Sequence, residues 1–210
     1  MKKIARLLII NIILALLLPL IPKGKIELTY TVNNEIKKVT LVNITTEETQ
    51  EEINEIVEEL EKNYSLSLAT DLRTKSNLNA IDYDTMLDGT NLYGIGKALE
   101  QAEKKYSVNG LYLMGLCILE SGWGTSDFAV KRNNLVGWNA IDANPQLAST
   151  FESKEQCILY VAEKLQQNYL TEGGAYFEGY TAKDIDIHYC TDKKHANKIV
   201  NIVNNLIEKI

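Results

Sequence analysis

The sequence predicts a mainly helical (α+β) fold with a small β element, and three observations support this prediction. From residue 91 onward, apolar residues recur at helical spacing in several segments. Between two of those segments, residues 133–151 are rich in turn-forming residues and favour a short β-ribbon. Nearer the N-terminus, residues 25–44 contain two β-prone runs on either side of Asn33-Asn34, which indicates a hairpin.

The N-terminal segment has the pattern of a secretion signal. Two lysines and an arginine precede an uncharged run of 16 residues, Leu7 to Pro22. As a helix this run measures about 24 Å, short of the roughly 20 residues of a full membrane span. No small-x-small cleavage site follows it. We predict that residues 1–23 are a signal anchor, or alternatively a cleaved signal peptide, and that the rest lies outside the cytoplasm.

Residues 24–80 are predicted to form a small extracytoplasmic region made of the hairpin and an acidic helix. Thr45 and Glu48 have the spacing of a capping box, and residues 45–62 then combine one apolar stripe with a face of glutamates. We expect a solvated helix there. Docking of a protein partner on its acidic face is kept as an alternative.

The helical segments after residue 91 differ in how apolar they are. The segment "LYLMGLCILE" is apolar nearly all round, which predicts a central, buried helix. A helix beginning at Ser153 and a last helix near the C-terminus each have one apolar stripe. In the flanking helices, the positions expected to face inward are Ile95, Ala98, Leu99, Ala102, Cys157, Ile158, Val161, Ala162, Leu165, Ile199, Val200, Val203 and Leu206.

Composition excludes several classes of function. The net charge of −6 argues against nucleic-acid binding, which usually needs a basic surface. The three cysteines and two histidines include no CxxC and no spacing of zinc ligands, so we predict no metal and no cofactor. Cys117 and Cys157 are interpreted as small buried apolar residues.

Glu120 ends the apolar helix and shares its stripe with Leu113, Leu116 and Cys117 by the i, i+3, i+4, i+7 rule. It also lies in the last turn, where the helix dipole disfavours an anion. Both effects favour a protonated carboxyl group, which is what a general acid for glycosidic bond cleavage requires. Trp123 nearby offers an apolar wall or a surface for sugar stacking.

The stretch "ESGWGTSDFAVKRNNLVGWNAID" resembles the glucosaminidase family of peptidoglycan hydrolases, the bacterial autolysins of glycoside hydrolase family 73. The similarity starts near "LYGIGKALEQAEKKYSVNGLYL" and passes through "FESKEQCILYVAEKLQQNY". It ends at "YCTDKKHANKIVNIV", which is similar to that family's Tyr-Ala-Thr-Asp element. The resemblance identifies residues 81–210 as the catalytic domain and leaves residues 24–80 outside it.

This resemblance implies a lysozyme-like α-lobe and a small β-lobe with a cleft between them. It implies an endo-β-N-acetylglucosaminidase that cleaves the β-1,4 bond after N-acetylglucosamine in peptidoglycan glycan strands. Glu120 matches the family's general acid, and Tyr189 matches its tyrosine across the cleft from that acid. The residues expected to shape the substrate groove are Trp123, Asn134 and Trp138, although Asn134 has a turn-forming role as an equal alternative.

Two departures from the family pattern keep alternatives open. Many relatives have a second acidic residue on a hairpin, but here that segment is short and Asp142 is its only acid. The second catalytic group is therefore Asp142 or the substrate's own 2-acetamido group. His195 replaces an aromatic residue of many relatives, and we interpret it as a solvated helix residue.

The alternative functions are an N-acetylmuramidase or lytic transglycosylase on a similar fold, and a non-catalytic protein that binds the cell wall or serves as a scaffold. The predicted location is the outer face of the membrane, facing the wall, or the medium if the signal is cleaved.

Overall fold

The computed structural model describes residues 26–32, 35–41, 65–140 and 147–210. Strands β1 (Ile26–Val32) and β2 (Glu35–Leu41) form an antiparallel pair in which Val32 lies opposite Glu35. The strands thus flank Asn33-Asn34, where the sequence predicts the turn. The signal segment, the predicted acidic helix and Asp142 lie outside the described residues. No helix of the described part is long and apolar enough to cross a membrane.

Residues 66–207 form a compact unit, separate from the unit that contains the hairpin. Its described part contains seven helices: α1 (Ala80–Met86), α2 (Gly96–Tyr106), α3 (Gly110–Ser121), α4 (Asp127–Arg132), α5 (Lys154–Asn168), α6 (Ala182–Tyr189) and α7 (His195–Ile207).

Helix α3 is the centre of this unit, as the sequence predicts. Every apolar side chain from Leu111 to Ile118 is at most 1% exposed. The helix begins at Asn109, whose side chain accepts a hydrogen bond from the N–H of Tyr112. A helix that is apolar on all sides can satisfy its backbone internally and pack against neighbours on every face. The C-terminal turn of α3, which bears Glu120, is therefore fixed to the core.

The other helices bury the faces that the sequence predicts, with Val200 only partly buried. Ser153 caps α5 by accepting from the N–H of Gln156. Helix α2 ends at Tyr106 because Ser107 takes a left-handed conformation with φ of 51°, and Asn109 then caps α3.

Residues 66–79 are not helical, but they are packed into the unit through Leu66, Leu72 and Leu78, each at most 5% exposed. The buried carboxylate of Glu103 on α2 holds this segment, because its Oε1 accepts from the N–H of Ser76 and the N–H of Gly110, each at 2.7 Å. Burial raises the pKa of Glu103. The sequence analysis identified neither α1 nor this carboxylate.

The turn-rich segment differs from its prediction. Residues 133–140 and 147–151, the described parts of that segment, contain no strand. The mainly helical class is therefore confirmed, while the short β-ribbon predicted here is not found in the described residues. Side-chain hydrogen bonds from two asparagines hold the segment instead: Asn133 donates to the carbonyl of Phe151 at 3.0 Å, and Asn134 holds Trp138.

Candidate active site

Glu120 lies in the last turn of α3, where its side chain is 29% exposed. Leu113, Leu116 and Cys117, which share its stripe, are at most 1% exposed. The predicted arrangement, a carboxylate at the end of an apolar stripe, is therefore present. The partial exposure of the carboxylate means that it is open to a ligand as well as anchored to the core.

The residues after Glu120 fix the end of the helix. Ser121 is fully buried, and its hydroxyl donates to the carbonyl of Cys117 at 2.6 Å and accepts from the N–H of Gly124 at 2.7 Å. Gly122, Trp123 and Gly124 all have left-handed backbones, with φ of 56°, 62° and 80°. Because a Cβ on Gly124 would lie 2.9 Å from Leu92, a larger residue there would displace this turn.

A cavity of about 450 Å³ opens beside Glu120. The cavity is lined by three of the residues that the sequence analysis proposes for the site, namely Glu120, Trp138 and Tyr189. Trp123 is not among its lining residues. Trp123 lies on the turn after α3 and is 39% exposed. Among the described residues that line the cavity, Glu120 is the one carboxylate. The described residues that line the cavity are Glu120, Val136, Gly137, Trp138, Asn139, Tyr169, Tyr176, His188, Tyr189 and Cys190.

Asn134 does not contact the cavity, because it is 0% exposed. Its side-chain amide donates to the carbonyls of Trp138 and Ser149, each at 3.0 Å, and its oxygen accepts from the N–H of Trp138 at 2.8 Å. The groove-contact interpretation of Asn134 is therefore corrected in favour of the turn-forming alternative. It shapes the cavity only by holding Trp138, whose ring also packs edge-on against Tyr160 at 5.5 Å.

Aromatic rings cover the side of the cavity that α5 and α6 contribute. The Tyr169 ring lies 5.2 Å from Tyr176 and 6.2 Å from Tyr189. Tyr176 in turn lies 5.7 Å from the ring of His188 and is 45% exposed. Burial, and then the negative charge of Glu120, raise the pKa of Tyr189 well above its usual value, so its phenol stays protonated.

Glu120 has a partner that the sequence analysis interpreted wrongly. His195, at the start of α7, is 5% exposed and not a solvated helix residue. Its Nε2 lies 2.8 Å from Oε1 of Glu120, and its Nδ1 lies 2.8 Å from Oδ1 of Asp186. The second oxygen of Asp186 accepts from the N–H of Ala196 at 2.7 Å. The ring of His195 also stacks on Tyr189 at 5.6 Å.

These contacts determine the charge of His195. Burial alone lowers the pKa of an imidazole, but hydrogen bonds to Asp186 and Glu120, and then the negative charges of these two groups, outweigh it and raise the pKa of His195 to about 9. Burial and the helix terminus, the two influences visible in the sequence, are therefore not the only ones on Glu120, because the His195 ring lies 2.8 Å from its carboxylate.

A signal for His195 was present in the sequence. His195, Ile199 and Val203 follow one another at i, i+4 and i+8, so the histidine continues the buried stripe of α7. The same test that selected Glu120 would have selected His195. Asp186 gives no such signal, because its contact with His195 depends on how α6 and α7 meet.

Three side chains near Glu120 offer atoms of the kind that bind metal ions. Asp186, Cys190 and His195 each place one such atom within 4.8 Å of the others. Each of these atoms has a protein hydrogen bond, since the thiol of Cys190 contacts the carbonyl of Asp192 at 3.6 Å and the other two bond to each other. We therefore assign them as a hydrogen-bonded group rather than as metal ligands.

Comparison with known proteins places this cleft in a family. The profile of the family Glucosaminidase, described as mannosyl-glycoprotein endo-beta-N-acetylglucosaminidase, matches residues 96–208. Two strains of Streptococcus pneumoniae have a relative named "Putative endo-beta-N-acetylglucosaminidase", 32% identical over 149 residues, which is 68% of this chain. The chain spans only about a fifth of the length of these curated relatives, 22% and 21%.

Solved structures share the fold. Autolysin E of S. aureus bound to the muropeptide NAM-L-ALA-D-iGLU has a TM-score of 0.54 at 21% identity, covering 89% of this chain and 86% of that one. A catalytic mutant of the same autolysin bound to the disaccharide NAG-NAM has a TM-score of 0.53 at 19% identity, covering 72% and 78%.

The helical fold is shared with these autolysin structures. The chain belongs to the glucosaminidase family, since the family profile covers more than half of its length.

Proposed function

We propose that this protein hydrolyses peptidoglycan as an endo-β-N-acetylglucosaminidase, cleaving the β-1,4 bond after N-acetylglucosamine, with Glu120 as the general acid. The observation that carries the proposal is the position of Glu120: it is the one carboxylate among the described residues lining a cavity with aromatic walls. The names of the pneumococcal relatives and the glycan-bound autolysin complexes support the substrate class.

In this mechanism Glu120 donates a proton to the leaving glycosidic oxygen as the bond to the anomeric carbon breaks. Trp138 and Tyr176 offer flat apolar surfaces that suit the faces of sugar rings. We expect Tyr189, which lines the cavity with its phenol protonated, to act as a hydrogen-bond donor to the substrate.

The second catalytic group has two candidates. Asp142 is the acid of the segment where many relatives have a second carboxylate, and it lies outside the described residues. The substrate's own 2-acetamido group is the other candidate.

The proposed place of action is the cell wall, since the similar autolysin structures contain a muropeptide and the disaccharide NAG-NAM. An N-terminal signal anchor would hold the enzyme at the membrane, next to newly made glycan. The acidic segment of residues 45–62 is then a candidate docking site for a protein partner.

Mass spectrometry of digested peptidoglycan tests the proposal. The purified full-length protein is incubated with peptidoglycan, and the products are reduced before analysis. We expect new reducing ends at N-acetylglucosamine. New ends at muramic acid would identify a muramidase, an anhydro product would identify a lytic transglycosylase, and no cleavage would favour a binding or scaffold protein. Each of these three results contradicts the proposal.

The role of Glu120 is tested in the same assay with two matched variants. Glu120→Gln removes the acidic proton while preserving the shape of the side chain, so we expect a loss of at least about 100-fold in rate, in the range of general acid catalysis. Glu155→Gln, an exposed glutamate in the first turn of α5, is the control and should retain activity. A folded Glu120→Gln enzyme with full activity would refute the assignment.

A further inference from the structure

The hydrogen bonds around His195 fix where its protons lie. One oxygen of Asp186 accepts from the N–H of Ala196, and the other lies 2.8 Å from Nδ1 of His195. Since a carboxylate oxygen only accepts, Nδ1 carries a proton and donates it. Nε2 is then a donor when the ring is cationic and an acceptor when the ring is neutral.

The 2.8 Å contact between Nε2 of His195 and Oε1 of Glu120 consequently needs one proton. If the ring is cationic, Nε2–H donates to an ionised carboxylate. If the ring is neutral, a protonated Glu120 donates to the Nε2 lone pair. Only the loss of this shared proton leaves two lone pairs facing each other at hydrogen-bond distance, so the geometry opposes that state.

We propose that His195 is a positioning residue that stores the catalytic proton of Glu120, and that Asp186 orients His195 for this task. The proposal rests on the assignment of Glu120 as the general acid. Since an isolated glutamate is ionised at neutral pH, a general acid there needs a nearby source of its proton, and His195 is in contact to supply it.

The proton moves in a balanced sequence. It passes from Nε2 to Oε1 of Glu120, which converts an ion pair into a neutral carboxyl group and a neutral imidazole. The carboxyl group gives this proton to the glycosidic oxygen, which also takes the electron pair of the breaking C–O bond. The water that completes hydrolysis adds its hydroxyl to the anomeric carbon and returns a proton to the Glu120–His195 pair.

Other groups near His195 are arranged so that negative charge dominates. Lys198 on α7 is paired with Asp192 at 2.7 Å and so contributes little free positive charge. Burial keeps the pKa of the Cys190 thiol and the Tyr189 phenol above their usual values, so both are neutral. The titratable groups that contact or interact with His195 are Glu120 from α3, Asp186 and Tyr189 from α6, and Cys190 and Asp192 from the following turn. Lys198 from α7 interacts with Asp192 and Glu120 of this group.

The first experiment compares pH profiles of kcat/KM on soluble glycan strands, with EDTA present to exclude metal effects. For the full-length wild type we expect activity to persist until the pair loses its proton near pH 9. His195→Phe retains a flat ring against Tyr189 but removes both nitrogens. Its activity relative to wild type should fall as the pH rises, and the loss should be at least about tenfold larger at pH 8 than at pH 5. The reason is that the protonated fraction of a general acid falls about tenfold for each pH unit above its pKa.

A second variant distinguishes a loss of activity from a loss of folding. His195→Phe leaves Asp186 without its main partner, so the double variant with Asp186→Asn removes that buried charge as well. The double variant should fold, and its kcat/KM should fall at high pH in the same way as that of His195→Phe. An equal loss at all pH values would show that His195 only packs the site, and an unchanged profile would show that it has no role. Either result overturns the proposal.

A measurement independent of activity separates this inference from the proposed function. The chain has two histidines, His188 and His195, so a His188→Gln protein leaves one imidazole in the NMR spectrum. We expect this imidazole to titrate near pH 9, and at least one pH unit lower once Glu120→Gln is added. Titration near the ordinary value of 6.5, or no response to Glu120→Gln, refutes the shared proton. Full activity of Glu120→Gln would instead refute the general acid.

Discussion

At the scale of single residues, the site depends on polar groups at the ends of apolar stripes. Glu120 ends the stripe of α3 and His195 begins the stripe of α7, and they meet at 2.8 Å. A polar side chain on a buried stripe destabilises the folded state unless it has a hydrogen-bond partner. Two such side chains on neighbouring helices can satisfy each other. Each could be selected from the sequence by its stripe, but their pairing depends on the packing of α3 against α7.

Asn134 illustrates a residue whose motif suggested a ligand contact and whose structural role is internal. It makes three side-chain hydrogen bonds while fully buried. We expect Asn134→Ala to lower the free energy of unfolding by about 3 kcal/mol, because buried backbone groups of Trp138 and Ser149 lose their partners. Urea denaturation followed by tryptophan fluorescence measures this change.

Two comparisons sharpen that prediction. Asn197→Ala, at an exposed position of α7, should change stability by less than about 0.5 kcal/mol. In Asn134→Ala protein that is still folded below its transition, kcat/KM should also fall because Trp138 is no longer held in the cavity wall. Unchanged stability would mean that the turn does not depend on Asn134.

At the scale of elements, the close approach of α3 and α7 brings His195 to Glu120. Gly115 permits this approach, since a Cβ there would lie 2.7 Å from a methyl group of Val203 and 2.8 Å from one of Ile199. Those two methyl groups belong to short, stiff side chains that cannot rotate far away. The glycine is thus required by helix packing and not by backbone conformation.

We expect Gly115→Ala to destabilise the protein by about 1–2 kcal/mol, because overpacking outweighs the gain in helix propensity of about 1 kcal/mol. Adding Val203→Ala should restore part of that loss, since it removes the nearer methyl group. Thermal unfolding of the two single variants and the double variant measures the coupling. Additive effects, with no recovery in the double variant, would contradict the close-packing account.

The sequence predicted the helices well where one apolar stripe or a capping residue marks them, as for α3 and for α5 with its cap at Ser153. It predicted no element for residues 66–79, and the β-ribbon that it favoured in the turn-rich segment is not found in residues 133–140 and 147–151. In both, the chain is held by single long-range hydrogen bonds, such as those of Glu103 and Asn134, which leave no periodic pattern. The spacing of apolar residues indicates which face of one helix or strand is buried. It does not indicate which loop is hydrogen-bonded to a buried amide or carboxylate.

At the scale of the whole molecule, titrating groups place opposite pH limits on stability. Hydrogen bonds to Arg73 and to Lys198 lower the pKa values of Asp71 and Asp192 respectively. These exposed ion pairs add a small amount to the free energy of unfolding. That amount is present at pH values above the usual carboxyl pKa and is lost in acid. His195 acts in the other direction, since its pKa is raised, and it is the larger effect because the ring is buried.

We therefore expect the helical unit to be most stable at about pH 5–6.5 and to weaken as the pH rises towards 9. Below the unfolded histidine pKa of 6.5, both states bind the proton and the pairing of His195 contributes fully. Between 6.5 and about 9, the folded state retains a proton that the unfolded state has released, so raising the pH favours unfolding. The contribution lost over this window is at most about 3 kcal/mol.

Urea denaturation at pH 6, 7.5 and 9 measures this loss of stability, because both tryptophans, Trp123 and Trp138, report on this unit. The His195→Phe protein should show a nearly flat dependence across the same window. An equally steep decline in that variant would assign the effect to other groups.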